Sequence, residues 1–137
     1  MIVDTSALVA IVLGETGWET LREALTDQPS IVPASVLTEL QLVTASRSGA
    51  DTLVAEALLA SLFAEGLQIA SFEHRHAMIT RYARESFGKG NGNGGVLNFG
   101  DLMVYAVAKD RGEAVLCTGR DFASTDIEIH PASRIDQ

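Results

Sequence analysis

A single cysteine, Cys117, stands in 137 residues. An intrachain disulfide is therefore impossible, and a cysteine-rich zinc site is excluded. Long apolar runs are also missing. The longest, Ala7 to Leu13, is far short of the ~20 residues that cross a bilayer. No basic stretch precedes the apolar start, and Asp4 interrupts it, so a signal peptide is not expected. Basic residues are outnumbered: 10 Lys and Arg face 18 Asp and Glu, for a formal net charge of −8. That balance argues against a protein that coats nucleic acid by bulk electrostatics. It leaves room for local binding through metal ions and a small basic patch. Arg75, Arg81, Arg84 and Lys89 fall close together, although a solvated helix face is the plainer reading of them.

What is present describes a globular chain. Apolar residues make up 47% and charged residues 20%, which excludes a disordered one. The length suits a single domain over residues 1–137, and a domain of this size buries roughly two-thirds of its unfolded surface. Together these features favour a cytoplasmic enzyme or binding module.

Short apolar strands alternate with helices. Met1 to Val3, Ile31-Val32, Leu67 to Ala70, Ala114 to Cys117 and an edge segment Ile127 to Ile129 read as strands. Helical stretches follow Thr5 or Ser6 as cap through Leu13, then cover Trp18–Thr26, a run capped by Ser35 and ending near Ser48-Gly49, Asp51–Glu65, Glu73–Phe87, and Phe99 to about Arg111 behind an Asn98 cap. The one low-complexity stretch, "GKGNGNGG", covers residues 88 to 95. Such alternation implies a central parallel β-sheet flanked by helices, an α/β/α sandwich with right-handed crossovers.

In that architecture helix N-termini lie at the edge where strands end, which is where such folds bind ligands. Asp4 ends the first strand, Glu39 lies near the start of the Ser35 helix, Asp101 stands three residues after Asn98, and Asp121 follows the strand ending at Cys117. All four map to one edge. Each also has a plain explanation: a cap for Asp4, helix-dipole stabilisation for Glu39 and Asp101 at ~0.3–1 kcal/mol, a turn aspartate for Asp121. Two features point further. Glu39 shares a helical face with Val36, Leu40 and Val43, and Asp101 opens a helix that is apolar all round through Ala108. Carboxylates on buried faces need a partner or a metal. Two of them ~5 Å apart repel by roughly 3 kcal/mol at an effective dielectric of 20. No basic residue adjoins Asp4, Glu39 or Asp101 in sequence, and Arg120 alone adjoins Asp121. An oxygen-only set suits Mg²⁺, or Mn²⁺, rather than zinc. Thr5, Ser6 and Thr118 stand where their hydroxyls can support the acids. His74 and His76, two apart on a helix, read as surface residues, and Met78 and Tyr82 as core residues.

Four stretches, "IVDTSALVAIVLGE", "ASVLTELQLV", "FGKG…LNFGDLMVYAVAKDRG" and "LCTGRDFASTDI", resemble the PIN-domain ribonucleases, above all the VapC toxins of bacterial toxin–antitoxin pairs. The resemblance spans nearly the whole chain and keeps its motifs in order. It implies a Rossmann-like α/β/α fold, Mg²⁺- or Mn²⁺-dependent RNA cleavage, a homodimer, a VapB-type antitoxin and a bacterial cytoplasmic location. It carries Asp4, Glu39 and Asp101 onto the family's first three acids. The fourth departs: where many relatives have an acid two residues after the Thr118 position, Arg120 stands here, followed by Asp121. Asp4 and Asp101 are expected to bind the cation directly, with Glu39 orienting water and Asp121 acting through water. Arg84, Lys89 and Arg120 are the expected contacts to the RNA backbone. Two other readings remain open. One is a non-catalytic module whose acidic pocket receives an arginine of a partner. The other is a phosphatase with an aspartyl nucleophile, against which Ser6 occupies the place of the usual second acid.

Overall fold

The computed structural model describes residues 1–136. Four short parallel strands form its sheet: β1 (Ile2–Val3), β2 (Ile31–Pro33), β3 (Gln68–Ala70) and β4 (Val115–Leu116), in the order β3-β2-β1-β4. Ile2 pairs with Ile31 on one side and Val115 on the other. The helices are α1 (Thr5–Leu13), α2 (Trp18–Asp27), α3 (Ala34–Arg47), α4 (Gly49–Ala64), α5 (His74–Phe87) and α6 (Phe99–Arg111). The order of elements is the one the sequence implies. The expected edge strand at residues 127–129 shrinks to one bridge, Ile129 to Val115. Pro131, which has no amide hydrogen to donate, follows immediately.

The core explains the arrangement. β1 is paired on both sides, and Ile2, Val3, Val32, Val115 and Leu116 are wholly buried. Continuous apolar strands of this kind need cover on both faces. α6 gives it on one side: Val104 to Ala108 are buried, and the helix packs on α5, α3, β1 and β2. α1 lies against α2, α3 and α4, with Leu8, Leu21, Leu40 and Leu62 filling the space between.

Several local expectations change. Asp4, not Thr5 or Ser6, is the N-cap of α1, accepting from the Ser6 amide at 3.0 Å. α3 begins directly after Pro33 without a side-chain cap, and the Ser35 hydroxyl is buried without a partner. Ser48 caps α4, which begins at Gly49 rather than Asp51. His76 is a core residue at 1% exposure. Its Nδ1 accepts the Glu73 amide at 2.8 Å and its Nε2 lies 3.0 Å from Asp110 on α6, fixing α5 to α6. Tyr82, by contrast, is 70% exposed, and Met78 is also on the surface. The inward face of α5 runs through His76 and Ala83, with Phe87 half-buried beside them, so residues 78 and 82 point away from it.

Leu40 sits one residue beyond Glu39 and is fully buried. Leu40→Ala is expected to cost about 3 kcal/mol in urea unfolding, the usual loss for a cavity of that size. A cost below about 1 kcal/mol would mean that α3 is not docked on the core as described.

Candidate active site

The strand order places four carboxylates around one cleft. β1 ends at Val3, yet the Asp4 amide still donates to the Leu116 carbonyl at 3.0 Å. The backbone of Asp4 is therefore held in the sheet while its side chain leaves at the C-terminal edge. α3 starts at the end of β2 and delivers Glu39 within its second turn. α6 starts on the Asn98 cap, and the turn after β4 supplies Thr118 and Asp121. Asp4, Thr5, Ser6, Glu39, Asp101, Thr118 and Asp121 all line the cleft, of about 290 Å³. Every carboxylate and hydroxyl that the sequence singles out for the acidic site is there.

The polar contacts pre-position these groups. The Ser6 hydroxyl donates to Asp4 Oδ2 and in turn accepts the Thr118 amide at 2.9 Å, tying β1 to the turn after β4. The Thr5 hydroxyl donates to Glu39 Oε1, tying α1 to α3. Asp101 and Asn98 form a reciprocal capping box, with bonds of 2.9 and 3.1 Å. In both aspartates the capping oxygen is Oδ2, so a carboxylate can serve as a cap and keep Oδ1 for a second use.

The charges are not neutralised. Among the described residues, no ion pair includes Asp4, Glu39, Asp101 or Asp121. Burial pushes Asp4 up to about 6 against the opposing bonds from Ser6, and the Glu39 charge adds to the rise. Asp101 is pushed up to about 7, mainly by burial, then by the charges of Asp4, Asp121 and Glu39. Burial also lifts the Cys117 thiol to about 12, with Asp4 reinforcing it, so this cysteine is not a thiolate nucleophile.

The donor set consists of hard oxygens. Among the described residues no group of three or more His, Cys, Asp and Glu side chains is gathered closely enough to hold a metal ion. One or two carboxylates are the protein ligands that Mg²⁺, which keeps much of its water, commonly takes.

Two residues escaped the reading of the sequence. Glu15 lines the cleft because the left-handed Gly14 turns the chain back beyond α1. Gly100 lies under Glu39: a Cβ there would meet Glu39 Oε2 at 2.5 Å. A glycine in the first turn of a helix, costing about 1 kcal/mol relative to alanine, was the available signal of such a close approach. The basic residues separate. Arg84 and Lys89 line a neighbouring cavity, while Arg120 is exposed on the turn beside Asp121 and is not part of the cleft wall.

Comparison with known proteins gives the family. The PIN domain model matches residues 1–128. Ribonuclease VapC42 of Mycobacterium tuberculosis is 38% identical over 129 residues, covering 93% of this chain and 96% of its own. Ribonuclease VapC36 of the same organism is 40% identical over 132 residues, covering 94% and 92%. The chain therefore belongs to the PIN-domain family and, within it, to the VapC group. Among solved structures, M. tuberculosis VapC20, described as a sarcin-ricin loop cleaving toxin, superposes with a TM-score of 0.70 at 21% identity, covering 95% of this chain and 98% of its own. VapBC2 of Rickettsia felis, solved on a promoter DNA fragment, gives 0.68 at 17% identity, covering 98% and 95%. These two show the shared fold.

The raised carboxyls give a sign to the pH dependence of stability. Folded Asp101 keeps its proton up to about 7, against an ordinary value of 3.8. The stabilisation from that proton is complete below the ordinary value and is lost as pH rises through about 7. Asp101→Asn, which still offers an oxygen to the capping box, is expected to melt about 3 °C above the parent at about pH 8 in metal-free buffer, the shift that about 1 kcal/mol produces at this size. At about pH 4 the two should melt together. A variant that melts below the parent in alkali would contradict the repulsion.

Proposed function

We propose that this protein is a Mg²⁺-dependent endoribonuclease, with Mn²⁺ as an alternative ion, that acts as the toxin of a VapBC-type pair in the bacterial cytoplasm. The observation that carries this reading is buried Asp4 beside half-buried Asp101, both pushed up, in a cleft where none of the described residues pairs a cation with them. Asp4 and Asp101 would hold the ion through their Oδ1 atoms. A divalent ion bound there neutralises charge on a phosphodiester and lowers the pKa of a coordinated water. Glu39, fixed by the Thr5 hydroxyl and seated on Gly100, orients the attacking water for in-line displacement. Ser6 holds Asp4 and the Thr118 amide in register. Asp121, at the exposed rim, acts through water, and Arg120 beside it meets the strand as it enters.

The relatives' names support RNA as the substrate and an antitoxin as a partner. Exposed apolar residues on the same side support protein partners. Leu42 and Phe99, 68% and 81% exposed, flank an apolar hollow that shares Glu39 with the cleft. Leu53, Val54 and Phe63 are exposed on α4. We assign these surfaces to a second copy of the chain and to a VapB-type antitoxin. No helix among the described residues is long and apolar enough to cross a membrane, in keeping with partners met in solution.

The test is cleavage of total RNA with purified protein. The parent is expected to cut when Mg²⁺ or Mn²⁺ is supplied and to stop in EDTA. Asp4→Asn and Asp101→Asn are expected to lose about 10²-fold or more, the scale of a removed electrostatic stabiliser, while keeping their circular dichroism. Equal cutting by folded variants would refute the mechanism. Hydrolysis of an aryl phosphate in place of RNA would favour the phosphatase, and inertness on both the arginine-receiving module.

A further inference from the structure

A second cavity lies beside the acidic cleft. It measures about 480 Å³ and is lined by Arg84, Glu85, Gly88, Lys89, Gly90, Asn91, Asn93 and Leu102. Leu102 follows Asp101 on α6, so the first turn of that helix is the wall between the two hollows: Asp101 faces the acidic one and Leu102 the other.

The glycine-rich stretch that forms its rim is ordered by its own hydrogen bonds. The Lys89 amide donates to the Leu97 carbonyl at 2.8 Å and the Leu97 amide to the Phe87 carbonyl at 2.9 Å, closing the loop at its base. Half-buried Asn91 then spans it. Its Oδ1 accepts the amides of Asn93 and Gly95 at 2.8 and 3.1 Å, and its Nδ2 donates to the Glu85 carbonyl at 3.0 Å. Gly95 permits the closure, since a Cβ there would stand 2.2 Å from the Gly88 carbonyl oxygen.

Two cations open onto this cavity without partners. Among the described residues neither Arg84 nor Lys89 forms an ion pair. Glu85 is the one carboxylate in the lining. Of the ten Lys and Arg residues, Arg22, Arg47, Arg75 and Lys109 form ion pairs; what distinguishes Arg84 and Lys89 among the rest is that both open onto one cavity. On the same helix, Arg75 already meets Glu73 and Asp110.

We propose that this cavity is an anion subsite for a backbone phosphate of the RNA strand, displaced from the phosphate being cut, with Arg84 and Lys89 as its ligands and Asn91 as the residue that holds the loop in shape. The strand's identity rests on the ribonuclease reading; the anion chemistry does not. Phosphate oxygens take hydrogen bonds from guanidinium and ammonium groups and fix the register of a nucleic acid without reading its sequence. Anchoring one phosphate over the loop while another enters the acidic cleft sets which bond meets Asp4 and Asp101. It also supplies the attraction that the acids, repelling the strand, do not.

The test is binding of a fluorescein-labelled oligouridylate, followed by anisotropy in EDTA across a salt series. Arg84→Ala/Lys89→Ala is compared with Arg81→Ala/Arg111→Ala, which removes the same charge from exposed cations that line neither hollow. The first pair is expected to bind about tenfold more weakly, with a log–log salt slope shallower by about 0.7, the contribution of one neutralised phosphate on a single strand. The second pair is expected to stay within about twofold of the parent. Equal losses in both pairs, or parent-like binding by the first, would overturn the subsite. Micromolar binding of free uridine monophosphate, abolished in the first pair, would overturn the strand assignment in favour of a small nucleotide. Failure of the parent to cut total RNA with Mg²⁺, alongside binding that depends on the first pair, would sink the ribonuclease reading and leave the anion site standing.

Discussion

Negative charge held out of water without a positive partner governs this molecule. Asp4 is 5% exposed at the end of the central strand, and Asp101 feels Asp4, Asp121 and Glu39 together. Carboxylates so placed must take up protons or gather a cation from outside. A protein selected only for stability would replace them, because burying like charges opposes folding. That they stay, pinned by Ser6, Thr5 and Asn98, is intelligible if the unbalanced charge is what the site is for. On the function proposed above, the charge that repels itself here is what would draw a hard cation in.

The fold is arranged so that this tension stays local. The central strand carries Asp4, and its two residues are fully buried between β2 and β4. Each carboxylate then enters from a different element, and Asp4, Glu39 and Asp101 are each fixed by a hydrogen bond. Ser6 joins the start of α1 to the turn after β4. Thr5 joins α1 to α3. The capping box stiffens the start of α6. Local structure and site chemistry use the same atoms: the cap of α1 and the capping box of α6 are also the two most perturbed acids. For these residues the plain and the functional interpretations were never rivals.

The parallel sheet, the order of its elements and the meeting of Asp4, Glu39, Asp101 and Asp121 could be read before any coordinates. Alternating strands and helices force strand ends and helix starts to one edge, so the position of an acid within its own element was enough. What could not be read depended on tertiary partners. His76 gave the appearance of a surface residue from its spacing to His74. Its burial is set by Asp110, far along the chain on α6. Tyr82 turns outward because the inner face of α5 is set by His76 and Ala83. Glu15 enters the cleft only through the reversal at Gly14, and the role of Gly100 appears only when Glu39 lies against it. The low-complexity composition of residues 88 to 95 did not disclose the fixed form that Asn91 gives the loop.

The most direct test of this account is a pH titration of the Asp101 side-chain carboxyl by carbon NMR, without and with Mg²⁺. Without the ion the midpoint should lie near 7. With saturating Mg²⁺ it should fall to or below the ordinary aspartate value of about 3.9, because the cation replaces the proton. A midpoint already near that ordinary value in the absence of metal, and unmoved by adding it, would contradict the claim that these carboxylates are crowded together awaiting a counterion.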